Sequence, residues 1–198
     1  IVLAVAEVSP DIWNEYVYWT KMVKRYPQGP LSNFNLAMVM AYMGKVEESA
    51  KLLNKVPDLD QNIVPKLKAL YSRNIARDPD NWRWHFRLGF VYYFDNKWAQ
   101  ALEQLQWVAD SEPFSGKNAW AYGYIAVIKG NQGKWNRAVE ACQKALEIEP
   151  DGAALHAALA KAYYEQKKLV EVSAEIVTTL RLKKEFEAYE KKMWEQTP

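Results

Sequence analysis

A short motif recurs along this chain at a fixed spacing, and that recurrence limits the fold more than any other feature. Asn96-Lys97-Trp98 is followed by Ala101 and then Pro113. Gly133-Lys134-Trp135 is followed at the same offsets by Ala138 and Pro150, with Ala145 between them. Self-similarity at a period of ~20–50 residues means one supersecondary unit laid down repeatedly, each copy unable to bury its apolar face alone. Two proline-containing turns, Asp78-Pro79-Asp80-Asn81 and Glu149-Pro150-Asp151-Gly152, punctuate the units. Proline disfavours helix at the residue before it, and Asp or Asn can cap the helix that follows. Each turn therefore opens a new helix.

Size and composition narrow the class further. With 198 residues, 49% apolar and 25% charged, and only eight Gly and nine Pro, the chain has the make-up of one folded domain or one repeat array. Lys and Arg number 26 against 24 Asp and Glu, interspersed throughout, so the basic track of a nucleic-acid binder is missing. The single Cys142 cannot form an internal disulfide, and with two histidines it is too little for a zinc site built from Cys and His. No metal or cofactor is expected. The longest apolar stretch, Ala119 to Ile128, falls well short of the ~18–20 residues a spanning helix needs, so no direct membrane insertion is expected. The expected location is cytoplasmic. The start, Ile1-Val2-Leu3-Ala4-Val5-Ala6, lacks an initiator Met, and Ala4-Val5-Ala6 is like a cleavage site without the charged leader and apolar core before it. A plain helical segment and a trimmed, tethered or exported form both stay open.

Leu88, Gly89, Tyr92, Ala101 and Pro113, counted from Trp82, resemble the tetratricopeptide repeat (TPR), a 34-residue helix–turn–helix unit with a W-x2-L-G-x2-Y…A…P pattern. His85 stands at the signature Trp position, one residue after Trp84. Counted from Ala119, the next unit places Gly133, Trp135, Ala138, Ala145 and Pro150 on pattern, while Ala126 replaces the Gly and Lys129 the Tyr. A third, from Ala153, offers Leu159, Ala160 and Tyr163, with Val172 in place of Ala and Lys184 in place of Pro. A degenerate unit from Pro30 offers Leu36, Ala37, Gly44, Val46 and Ser49. The resemblance implies an all-α fold, an α-solenoid of antiparallel helix pairs wound into a right-handed superhelix. Its small residues mark close crossings: Gly89 and Ala101 sit where the paired helices approach, and Leu88, Tyr92, Leu105 and Val108 fill the space alongside.

The expected divisions are an N-terminal helix or upstream remnant at 1–29, a degenerate hairpin plus one extra helix at 30–79, and three units at 82–113, 119–150 and 153–184. The rest of a capping helix fills 185–198. Within 57–79 one helix, about Ile63 to Arg77, has no evident partner, and Pro65 is tolerable only in its first turn. Leu182, Phe186, Tyr189 and Met193 form an apolar stripe among Lys and Glu at the C-terminal end, which suits a cap.

No catalytic constellation stands out. His85 and His156 share one repeat position two repeats apart and read as packing residues, and Cys142 reads as a buried thiol. Gly130-Asn131-Gln132-Gly133-Lys134-Trp135 lacks P-loop spacing and reads as a hairpin turn. The resemblance instead implies binding of a protein or peptide segment on the concave wall made by first helices. Its groove positions fall on Arg83, Phe86, Phe90, Tyr93 and Phe94, then Trp120 and Val127, then Lys161, Tyr164 and Glu165, with Leu31, Phe34, Met38 and Tyr42 upstream. One subgroup grips a C-terminal carboxylate with Lys and Asn at positions five and nine; here those hold Phe86 and Phe90, or Phe34 and Met38. Partners with apolar anchors are expected. The aromatics could equally be covered by the 57–79 helix or the N-terminal helix, or form a homo-oligomer contact. The function expected is a non-enzymatic adaptor or scaffold; the alternative is a docking or regulatory module of a larger enzyme or membrane-anchored assembly factor.

Overall fold

Helices account for all the regular structure in the computed structural model, which describes residues 10–55, 63–111 and 116–197. In chain order they are α1 (Pro10–Arg25), α2 (Pro30–Tyr42), α3 (Val46–Leu53), α4 (Val64–Arg77), α5 (Trp82–Phe94), α6 (Trp98–Asp110), α7 (Gly116–Asn131), α8 (Trp135–Ile148), α9 (Ala153–Glu165) and α10 (Leu169–Glu195). The chain divides into two compact units, and the division falls inside α7 between Ala121 and Tyr122. In the first unit α1 packs on α2, α2 on α3, α4 on α5 and α5 on α6. In the second α8 packs on α9 and α9 on α10.

Four helices end in the same turn, and the turn is what reverses the chain within each pair. Gly44, Asn96, Gly133 and Lys167 all have left-handed backbone, with φ of 74°, 55°, 72° and 60°. After each, the next N–H donates to the carbonyl five residues back: Lys45 to Met40 at 2.8 Å, Lys97 to Tyr92 at 2.9 Å, Lys134 to Lys129 at 2.9 Å and Lys168 to Tyr163 at 3.0 Å. This is the Schellman pattern, which satisfies the otherwise orphaned carbonyls of the last helical turn. Glycine takes the conformation freely and asparagine tolerates it, whereas a residue such as lysine adopts it at a cost of about 1–2 kcal/mol.

Small residues let the helices approach. Ala101 is fully buried, and a Cβ built on Gly89 would lie 3.0 Å from Leu105 Cγ and 3.3 Å from Gln104 Cβ. Leu88, Val91, Leu105 and Val108 complete that core, while Tyr92 is half-buried with Lys68 Nζ 5.2 Å from its ring centre. Lys68 also pairs with Asp95, which ties α4 to the end of α5. In the second unit Ala138, Ala141, Cys142 and Ala145 line the buried side of α8. Pro150 sits in the turn before α9, whereas Pro113 lies outside the described residues.

Some boundaries differ from expectation for local reasons. Helix α7 opens at Gly116, ahead of the expected Ala119, because nothing between them breaks a helix. Helix α10 runs 27 residues without interruption, since Lys184 stands where a proline would stop it. Helix α4 follows the expected span, with Pro65 in its first turn, and it does have a neighbour, α5.

Candidate protein-interaction surface

The groove positions separate into buried and accessible groups. Phe86 is 0% and Phe90 2% exposed, so both are core residues in the first unit. The ring of Phe34, itself fully buried, meets those of Phe90 and Phe94 edge-on, with centroids 5.8 and 5.9 Å apart. Met38 is buried beside the Tyr71 hydroxyl, whose oxygen lies 3.9 Å from its sulfur. Of the open alternatives, internal cover is therefore what the structure shows at Phe34, Met38, Phe86 and Phe90. The extra helix α4 supplies part of it: Tyr71 is buried, its hydroxyl reaches Asn35 Oδ1 at 3.5 Å, and its ring stacks on Trp84 at 6.2 Å. The N-terminal helix is tied to α5 by an ion pair, Glu15 accepting two hydrogen bonds from Arg87 Nη2 at 2.8 and 2.9 Å.

Accessible positions remain in both units. In the first, Arg83, Tyr93, Phe94 and Trp120 are half-buried and Leu31 is exposed. Arg83 lies 5.2 Å over the Trp82 ring. The Trp120 ring fills the space that a side chain on Gly44 would need, so the turn after α2 seats the start of α7. The side chain of Tyr42 is outside the described residues. In the second unit Val127 is half-buried, while Lys161 and Tyr164 are exposed on α9. Tyr164 presents 59% of its surface to solvent, with Lys161 Nζ 5.5 Å from its ring centre and 6.0 Å from that of Trp135. Lys161 also pairs with Glu165 one turn on. An exposed aromatic beside a cation can take either an apolar or a polar contact from a partner.

The two histidines do more than fill space. Nε2 of His85 donates to the Pro79 carbonyl at 2.9 Å, and Nδ1 faces Gln104 Oε1 at 2.9 Å. His156 repeats the arrangement at the same sequence offsets: Nε2 to the Pro150 carbonyl at 2.8 Å and Nδ1 to Glu175 Oε2 at 2.5 Å. Each imidazole thus ties the proline turn before a first helix to the second helix of the same pair. His85 additionally stacks on Trp107, with ring centres 3.8 Å apart. The recurring offsets were present in the sequence as Pro…His…Gln/Glu, but the carbonyl contact is invisible without the turn geometry. Cys142 is fully buried, and its thiol is pushed up to about 12, first by burial and then by the nearby Glu175 carboxylate.

Comparison with known proteins finds one repeat and one kind of fold. A family model described as "TPR repeat" matches residues 131–167, which span the end of α7, α8, α9 and the following turn. No curated protein sequence matches the chain. Among solved structures, "Crystal structure of MamA" superposes with a TM-score of 0.55 at 16% identity, covering 90% of this chain and 92% of that one. Another structure of MamA gives 0.51 at 16% identity, over 91% and 87% of the two chains. "MamA 41-end from Desulfovibrio magneticus RS-1" gives 0.51 at 14% identity, over 89% and 88%. At these identities the likeness concerns the fold. The matched repeat at 131–167, the antiparallel helix pairs and the superposition with these structures together show a tetratricopeptide-repeat type of fold.

Proposed function

We propose that this chain is a scaffold that binds a segment of a partner protein along the first-helix faces of its helix pairs, with apolar anchors on the partner. Stacked helix pairs of this type are a protein-interaction fold, so binding of protein is the coarse function the architecture supports. The observation that carries the finer reading is Tyr164. It is a large aromatic at a groove position, 59% exposed on an ordered helix, with Lys161 against its ring. Holding such a side chain in water on a rigid surface forgoes the burial that stabilises its counterparts elsewhere in the chain. Arg83, Tyr93, Phe94 and Trp120 are the corresponding contacts we assign in the first unit.

The test uses exposed positions, because Phe86 and Phe90 are core residues whose truncation would unfold the unit and so report nothing about binding. Partners are captured from native extract with wild type and with a Lys161→Ala/Tyr164→Ala double variant, and the affinity for each is then titrated. We expect unchanged helicity and melting, with partner affinity lower by roughly tenfold or more, as for loss of an aromatic hot spot. Equal affinity at equal folding removes Tyr164 and Lys161 from the binding surface.

A further inference from the structure

The first half of α10 carries an apolar stripe that nothing in the described residues covers. Leu169 is 64% exposed, Val170 82%, Ile176 47%, Val177 69% and Leu180 64%. The opposite side of the helix, with Thr179 and Leu182, is buried. Counting from the left-handed turns, Leu169, Ser173, Ile176 and Leu180 are the equivalents of Trp135, Val139, Cys142 and Leu146 on α8. Those four are buried or half-buried, and α8 has the next helix, α9, packed on it. Val170 and Val177 take the places held on α8 by the exposed Asn136 and Gln143, and on α6 by the exposed Ala99 and Gln106. The face is thus both the helix-accepting face of the repeat and wider in apolar surface than its equivalents.

We propose that this stripe pairs two copies of the chain, α10 against α10 in antiparallel orientation about a two-fold axis. Three observations select a second copy. The residues Leu169, Ser173, Ile176 and Leu180 are spaced four, three and four apart, a sequence of steps that reads identically from either end. Alternating steps of four and three make a ~3.5-residue seam, and a seam symmetric about its centre is self-complementary under a two-fold. Leu169 then meets Leu180 of the second copy, Ser173 meets its Ile176, and Val170 and Val177 flank the seam. The antiparallel sense also matches that of successive helices joined by short turns here, such as α8 and α9. Lastly, five exposed aliphatic side chains make a patch in the range of ~300–600 Å². This is smaller than the ~800 Å² per partner of a standard stable interface, so the pair should be a reversible one rather than a permanent dimer. Lys167 and Lys168 bracket one end of the stripe and Lys183 and Lys184 the other. Pairing brings these lysines towards one another, so added salt should favour the dimer by screening them.

This inference goes beyond partner binding and is tested separately from it. Sedimentation velocity across the micromolar range should show a monomer–dimer equilibrium for wild type, tighter at higher salt. Ile176→Glu and Val177→Glu, both at exposed positions, should keep wild-type circular dichroism and melting while weakening association at least tenfold. Tyr164→Ala should leave it unchanged. Ser173→Cys, placed near the axis, should give a covalent dimer with a short bis-maleimide while the buried Cys142 stays unlabelled. A wild type that stays monomeric throughout overturns the proposal, whether or not it binds phosphatidylserine vesicles or another protein through the stripe. So does a dimer that survives Ile176→Glu.

Discussion

Lys167 holds the same left-handed backbone that Gly44 and Gly133 adopt at equivalent turns, with φ of 60° against 74° and 72°. Replacing it removes a steric cost of about 1–2 kcal/mol. Lys167→Gly should therefore raise stability by about 1 kcal/mol in denaturant unfolding, after the added flexibility of the unfolded chain is offset. The reverse changes separate backbone from packing. A Cβ on Gly133 meets nothing within 4 Å, so Gly133→Ala should lose only the backbone contribution of about 1 kcal/mol. Gly44→Ala carries the same backbone penalty and also displaces the Trp120 ring, so it should cost clearly more in the same measurement. Cys142 makes a prediction about reactivity. With its thiol raised to about 12, it stays protonated in the fold where an ordinary thiol would ionise. Alkylation at pH 8 should be slow in the native protein and become fast only on unfolding. The sign for stability follows: above pH ~9 the unfolded chain releases this proton and the folded one does not, so this site's contribution falls as pH rises from there towards 12.

Among helices, the α5–α6 crossing was the most legible part of the sequence, because its constraint is local in type. Only small residues fit, and Gly89 and Ala101 are where the repeat spacing puts them. Ala101→Leu should overpack that crossing and cost about 1–3 kcal/mol, read as a lowered melting temperature; an unchanged melting temperature would remove Ala101 from the contact. What the repeat spacing could not convey is how an irregular neighbour alters a regular one. Phe86 and Phe90 occupy groove positions, yet Tyr71 of α4 and Phe34 of α2 lie against the same region, and neither follows from counting within one repeat. The α10 stripe was missed for a different reason. Its signal was Val170 and Val177 in places where α8 carries Asn136 and Gln143, a substitution of character visible only when repeats are aligned on their turns.

Across the whole chain, the all-α class and the succession of helix pairs were readable because a period in the sequence is a period in the fold. The location of the accessible surface was less so, since exposure depends on everything packed nearby and not on a residue's own position in a motif. Tyr164 and Lys161 remain open to solvent on α9 while Phe86 and Phe90 do not, although all four were assigned by the same rule.

The 27 residues of α10 measure about 40 Å along the axis, twice the length of the 13-residue α9 beside it. A rod that outruns its companion cannot be held equally along its span, and its buried anchors, Thr179 and Leu182, both fall near the middle. Beyond Glu185, which Arg181 holds at 3.0 Å, Phe186, Tyr189 and Met193 are only partly covered. Deuterium uptake should therefore run at two speeds in one continuous helix: slow amides around 176–183, and a progressively quicker clock from 186 to 195 as the end frays.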